Sequence, residues 1–247
     1  MHLTLWLNSA NSSIRVPSAN LHLFQSLIYK ILPEKLAAFL HSEGYPVEGK
    51  RMKLFAMSWP IASGMPQFER KTITFPLPIK LVISTPVTDT LDGVAGGVLA
   101  AEELRVGNNI ICCERIEAVQ QRVKGESVLL QTLSPITCYE QLKRNDKPYT
   151  VYFNPRQPDF SLSVHNNLVR KFRALYPDRP VPEGHVSACF MGEPKERIAR
   201  FSPEMTFPIK GWAGRLKLEG PQELLQIGVD CGLGAKNSGG WGCVEVL

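Results

Sequence analysis

Residues 221–247 read P-Q-E-L-L-Q-I-G-V-D-C-G-L-G-A-K-N-S-G-G-W-G-C-V-E-V-L. The stretch divides into a helix over 221–231 opened by Pro221, a glycine-rich loop over 232–242, and a strand over 243–247. Both common phosphate-binding loops place the strand before the loop and the helix after it. Here the order is reversed. Gly234 and Gly239 have P-loop spacing, but Gly240-Trp241 follows where Lys-Ser/Thr is required, and Asn237 stands where a dinucleotide loop needs its third glycine. A nucleotide cofactor is therefore not expected. Two readings of the loop remain: a nest of backbone N–H groups that holds a phosphate, or a tight connection packed against a sheet.

Working outward, the second half predicts strands at 128–133, 186–192, 197–201 and 205–218, with a helix at 157–175. The first half predicts a strand at 2–7, a helix at 19–32 with Ser18 as N-cap, and a second helical stretch at 34–42 opened by Pro33 and stopped by Gly44. Strands at 52–59, 71–76 and 79–85 follow, then a helix at 89–104 and a strand at 109–119. Each half fits the β-α-β-β-α-β order of a ferredoxin-like unit. The expected fold class is α+β: two tandem ferredoxin-like (RRM-like) domains, 1–120 and 127–247, joined by the polar segment 120–127 (Q-Q-R-V-K-G-E-S at 120–127).

Composition sets the outer limits. In 247 residues, 44% are hydrophobic and 21% charged, which excludes wholesale disorder. No apolar run reaches the ~18 residues of a membrane helix, and no signal-peptide pattern follows Met1. A formal charge of +5 permits an anionic partner without requiring one. The six cysteines (112, 113, 138, 189, 231, 243) form no C-x-x-C pair. They read as reduced, mostly buried thiols of a cytoplasmic protein, with no metal site expected.

The segment 232–246 resembles the signature of the CRISPR repeat-cleaving endoribonucleases, the pre-crRNA processing enzymes of the RAMP superfamily. Three further stretches agree in order: L-I-Y-K-I-L at 27–32, F-L-H-S at 39–42 with K-L-F-A-M-S at 53–58, and T-L-S-P-I at 132–136. The resemblance implies two ferredoxin-like domains and cleavage of CRISPR repeat RNA, with no metal and no cofactor. It also admits association with other CRISPR effector subunits, and it places a catalytic trio at Tyr29, His41 and Lys53.

Such chemistry uses the substrate's own 2′-hydroxyl to attack the adjacent phosphorus, leaving a 2′,3′-cyclic phosphate and a 5′-hydroxyl. It needs a base, an acid and a cation for the extra negative charge. A Tyr, a His and a Lys can fill these roles, with the assignment of acid and base open between Tyr29 and His41. Lys50 competes with Lys53 for the cationic role. RNA-binding candidates are Lys50, Arg51, Arg197, Arg200, Gly234, Lys236, Ser238 and Gly239, with Arg170, Lys171, Arg173 and Lys195 as further basic positions. The alternative to an enzyme is a non-catalytic RNA-binding RAMP subunit of an interference complex.

Overall fold

Strand β1 (His2–Asn8) occupies the middle of the first sheet in the computed structural model, which describes residues 1–144 and 147–247. Helix α1 (Leu21–Ile31) follows, then β2 (Ala56–Met57), β3 (Ile79–Ser84), α2 (Thr88–Ala100) and β4 (Asn109–Val119). β1 pairs antiparallel with β4 on one side and β3 on the other, and β3 pairs with β2. The order β4-β1-β3-β2 is that of a ferredoxin-like unit. Leu5, Phe24, Ile28, Leu81, Ile83 and Val94 form its core. Spacing explains α1: Leu21, Phe24, Leu27, Ile28 and Ile31 make one buried stripe.

The plan repeats with β5 (Ser127–Thr132), α3 (Pro158–Leu175), β6 (Ser187–Phe190), β7 (Arg215–Glu219), α4 (Gln222–Cys231) and β8 (Val244–Val246). The sheet order is β6-β7-β5-β8, with every pairing antiparallel. Phe160, Val164, Leu168, Phe172, Leu218 and Leu225 fill this second core. No helix of the described residues is long and apolar enough to cross a membrane.

Several expected elements change on folding. Asn20, not Ser18, occupies the cap of α1, and its amide donates back to the Pro17 carbonyl at 3.0 Å. Pro221 stands at the cap of α4, one residue before its first turn. Helix α2 ends at Ala100, and Leu104–Val106 pairs with β4 instead. The stretch 205–218 splits: Ile209–Ala213 pairs with Lys195–Ala199, while β7 joins the main sheet. The expected strand over 52–59 is broken at Leu54, for a reason that bears on the site. The segment 120–127 is pinned along its length: the Gln226 and Gln222 amides donate to the Gln121 and Val123 carbonyls, both at 2.9 Å. Of the cysteines, 138, 231 and 243 are buried, whereas 112 and 189 are exposed and 113 is half-buried. Burial pushes the Cys138, Cys231 and Cys243 thiols up to about 12, so they are neutral.

Candidate active site

Tyr29 lies beside the buried stripe of α1, half-buried, with its ring edge-on to Phe55 at 6.3 Å between centroids. Ten residues on, the chain makes a wide helical turn over Phe39–Glu43, closed by the Gly44 N–H donating to the Phe39 carbonyl five residues back at 2.7 Å. Such i→i+5 turns are uncommon and recur at functional sites. Leu40 anchors this turn in the first core, leaving His41 exposed with its ring 5.9 Å from that of Tyr29. Gly44 is required to leave the turn. Its φ is +63°, and a Cβ there would lie 2.7 Å from the Met52 carbonyl oxygen.

Lys53 follows the hairpin Tyr45–Val47/Lys50–Met52. The next residue, Leu54, has φ +51°, an uncommon conformation for a leucine. The side-chain destinations explain it. Leu54 is buried in the second core and Phe55 in the first, so consecutive residues enter different cores. A regular strand would point them to opposite faces of one sheet. The left-handed residue redirects the chain, and Lys53 emerges toward α1. Its ammonium donates to the Tyr29 hydroxyl at 2.9 Å. Burial pushes the Tyr29 phenol up to about 12 and lowers the Lys53 ammonium below the ordinary lysine value. The phenol therefore stays protonated at neutral pH. It accepts from Lys53 and keeps its own proton free to donate.

A cleft of about 770 Å³ opens on the other side of Lys53. Of the residues singled out in the sequence, Lys50, Arg51, Lys53, Arg170, Lys171, Gly234, Lys236 and Ser238 all line it. Lys50 and Arg51 are exposed on the hairpin, and it is Lys53 that bonds the Tyr29 hydroxyl. Arg170 pairs with Glu48 at 3.3 Å, and Arg173 pairs with the same carboxylate. Lys195, Arg197 and Arg200 are exposed in and just beyond the Lys195–Ala199 strand and do not line this cleft. Lys171 requires correction as an RNA-contacting surface residue: it is 3% exposed, with its ammonium turned inward.

The glycine-rich loop is a closed ring. The Leu233 N–H donates to the Gly242 carbonyl at 2.8 Å, and the Asn237 amide donates to the Leu233 and Trp241 carbonyls, each at 2.9 Å. The first half buttresses it: Gln25 donates to the Ser238 carbonyl at 2.9 Å and the Trp59 indole to the Gly240 carbonyl at 2.7 Å. Gly234 has φ +66°, and a Cβ would meet the Thr137 oxygen at 2.5 Å. Gly239 is not constrained in this way. It has no such φ, and a Cβ would make ordinary contact with Phe201 at 3.5 Å. Lys236 lies 5.4 Å from the Tyr139 ring centroid, on the cleft wall. Among the described residues, no three His, Cys, Asp or Glu side chains gather as metal ligands.

Sequence reading missed the ribbon Tyr139–Arg144/Lys147–Tyr152 that brings Tyr139 to the cleft. Its residues are mostly exposed and show no apolar face to signal a strand. It also missed the inward turn of Lys171. There a signal existed: Lys171 stands three residues after Leu168 and seven after Val164, on the buried stripe of α3.

Two ferredoxin-like sheets, a basic cleft and a glycine-rich loop following the last helix define a protein of the tandem ferredoxin-like α+β class. Residues 117–246 match the family model described as CRISPR associated protein Cas6, C-terminal, and the chain belongs to the Cas6 family. It is 27% identical over 243 residues to the CRISPR-associated endoribonuclease Cas6 of Pyrococcus furiosus, covering 95% of this chain and 84% of that protein. It is also 27% identical over 169 residues to CRISPR-associated endoribonuclease Cas6 1 of Methanocaldococcus jannaschii, covering 66% and 62%. Among solved structures, a Cas6-related protein from Pyrococcus furiosus superposes with a TM-score of 0.84 at 18% identity, covering 100% of this chain and 98% of that one. A RAMP protein described as binding different RNA substrates gives 0.82 at 17% identity, with 100% and 99% covered. At these identities the structural likeness concerns the fold.

Proposed function

We propose that this protein is an endoribonuclease that cleaves CRISPR repeat RNA without a metal, by attack of the substrate's 2′-hydroxyl, to release mature crRNA in the cytoplasm. The observation that carries the reading is the convergence of Tyr29, His41 and Lys53 from three separate segments: Lys53 donates to Tyr29 at 2.9 Å, and the His41 ring stands 5.9 Å from that of Tyr29. The names of the relatives support the same activity.

In this reading Lys53 is the cation for the charge that grows on the phosphorane oxygens, supported by its position on Tyr29 rather than out on the hairpin with Lys50. Tyr29 keeps its proton at working pH and gives it to the leaving 5′-oxygen, which departs as the 5′-hydroxyl. His41, exposed to the approaching strand, removes the proton from the 2′-hydroxyl. The cleft walls hold the RNA through Lys50, Arg51, Lys236, Ser238 and the backbone at Gly234, with Arg197, Arg200 and Gly239 contacting RNA beyond it. Residues 1–120 carry the catalytic groups, and residues 127–247 carry the loop as a second unit.

The test is direct. Purified protein, end-labelled repeat RNA and excess EDTA are incubated and resolved on a gel. One cut per repeat, with a cyclic phosphate on the upstream fragment, is expected. Tight binding without any cut would return the protein to the non-catalytic RAMP subunits.

A further inference from the structure

Lys171 is a buried charge that the proposed reaction leaves unused. It stands on the apolar stripe of α3, yet its ammonium donates to the Cys231 carbonyl at 3.1 Å, the Gly232 carbonyl at 2.6 Å and the Asn237 side-chain oxygen at 2.7 Å. An ammonium has three N–H groups, and all three are used. Asn237 in turn spends both N–H groups of its amide on the Leu233 and Trp241 carbonyls. One cation on α3 therefore holds the C-terminal carbonyls of α4 and, through Asn237, both sides of the glycine ring. The end of α4 is the negative pole of that helix, which favours a cation.

An apolar side chain of similar length would fill this space without desolvating a charge. The ammonium's role is orientation. The segment it holds presents Lys236, exposed at φ +60°, and Ser238 on the cleft wall. The titratable groups facing Lys171 are the Cys138 and Cys231 thiols, both neutral. Burial lowers Lys171 to about 8, so it remains charged at neutral pH.

We propose that Lys171 is a positioning residue whose buried ammonium clasps the glycine-rich loop in the conformation that offers Lys236 and Ser238 to RNA. The RNA half of this statement rests on the cleft being the RNA-binding face; the clasp itself does not.

The full-length protein is compared with Lys171→Met, Asn237→Ala, Lys236→Ala and the Lys171→Met/Lys236→Ala double variant. Without RNA, amide hydrogen exchange in peptides covering 232–242 should accelerate in Lys171→Met and Asn237→Ala, while peptides covering β3 remain unchanged. With fluorescent repeat RNA carrying a 2′-deoxy group at the cut site, Lys171→Met should weaken binding about tenfold at moderate salt. Lys236→Ala should weaken the parent but add less than about twofold in the Lys171→Met background, because the lysine is already misplaced. Asn237→Ala leaves the ammonium its Cys231 and Gly232 carbonyl partners and carries the same measurements if Lys171→Met does not fold. Unchanged loop exchange overturns the clasp. An undiminished Lys236→Ala effect in the Lys171→Met background overturns the link to RNA. A parent that fails to bind repeat RNA counts against the function proposed above, and the exchange measurement alone then decides the clasp.

Discussion

The Lys53 ammonium donates a 2.9 Å hydrogen bond to the Tyr29 hydroxyl, joining a residue of the first helix to one that follows a hairpin 24 positions later. This contact makes each group's ionisation matter to the other. Burial raises the phenol to about 12 and lowers the ammonium. Over the working range Lys53 is the member of the pair that titrates first. Its charge is present at low pH and lost as pH rises. The single-turnover cleavage rate should therefore show an alkaline fall below the ordinary lysine value, with any limb from Tyr29 lying above it. Lys53→Arg, which stays charged, should remove that fall while Lys53→Ala lowers the rate at every pH. A Lys53→Arg profile that falls like the parent's would show that another group sets the limb.

His41 should be the most damaging of the five histidines to replace. His41→Ala is expected to cut the single-turnover rate by ~10²-fold or more, with repeat RNA affinity little changed. His22, whose ring nitrogen contacts the Phe201 carbonyl at 3.1 Å, and the neighbouring pair His165 and His185, tilted against each other with 4.3 Å between ring centroids, are internal controls. Their alanine variants should cleave within a few-fold of the parent. Quench-flow or manual time courses at saturating protein decide the matter, and a parental rate in His41→Ala would remove it from the mechanism.

Cleavage should continue in excess EDTA and yield a 2′,3′-cyclic phosphate, detected by its resistance to phosphatase until acid opens the ring. A single 2′-deoxy substitution at the cut site should abolish cleavage while binding persists, since only the nucleophile is lost. Restoration of a chelated, inactive enzyme by Mg²⁺ or Mn²⁺ would contradict this route.

Gly234 and Gly239 should separate sharply in stability. Gly234→Val forces a β-branched residue to φ +66° and drives its Cβ into the Thr137 carbonyl. A loss of roughly 3 kcal/mol is expected, lowering Tm by about 6–12 °C in a chain of this size. Gly239→Ala meets only ordinary contact with Phe201 and should stay within about 0.5 kcal/mol. Thermal melts of the two variants check the pair, and equal melting temperatures would mean the ring adapts.

The sequence by itself carried the elements that depend on local pattern. The stripe of α1, the continuous strand β4 and the order helix, glycine loop, strand at 222–246 were legible because burial of a helix or strand face imposes its period on the chain. The α+β class and the family followed from those elements and from the motif residues. Tertiary structure decided what no local period encodes. Leu54 turns left-handed because Leu54 and Phe55 belong to two cores, and that turn is what delivers Lys53 to Tyr29. Lys171 goes inward while Arg170 and Arg173 stay out, because the carbonyls of Cys231 and Gly232 and the amide of Asn237 wait for it from 60 or more positions along the chain. A buried charge is tolerable only where its partners converge, and that convergence exists only once the second half has folded.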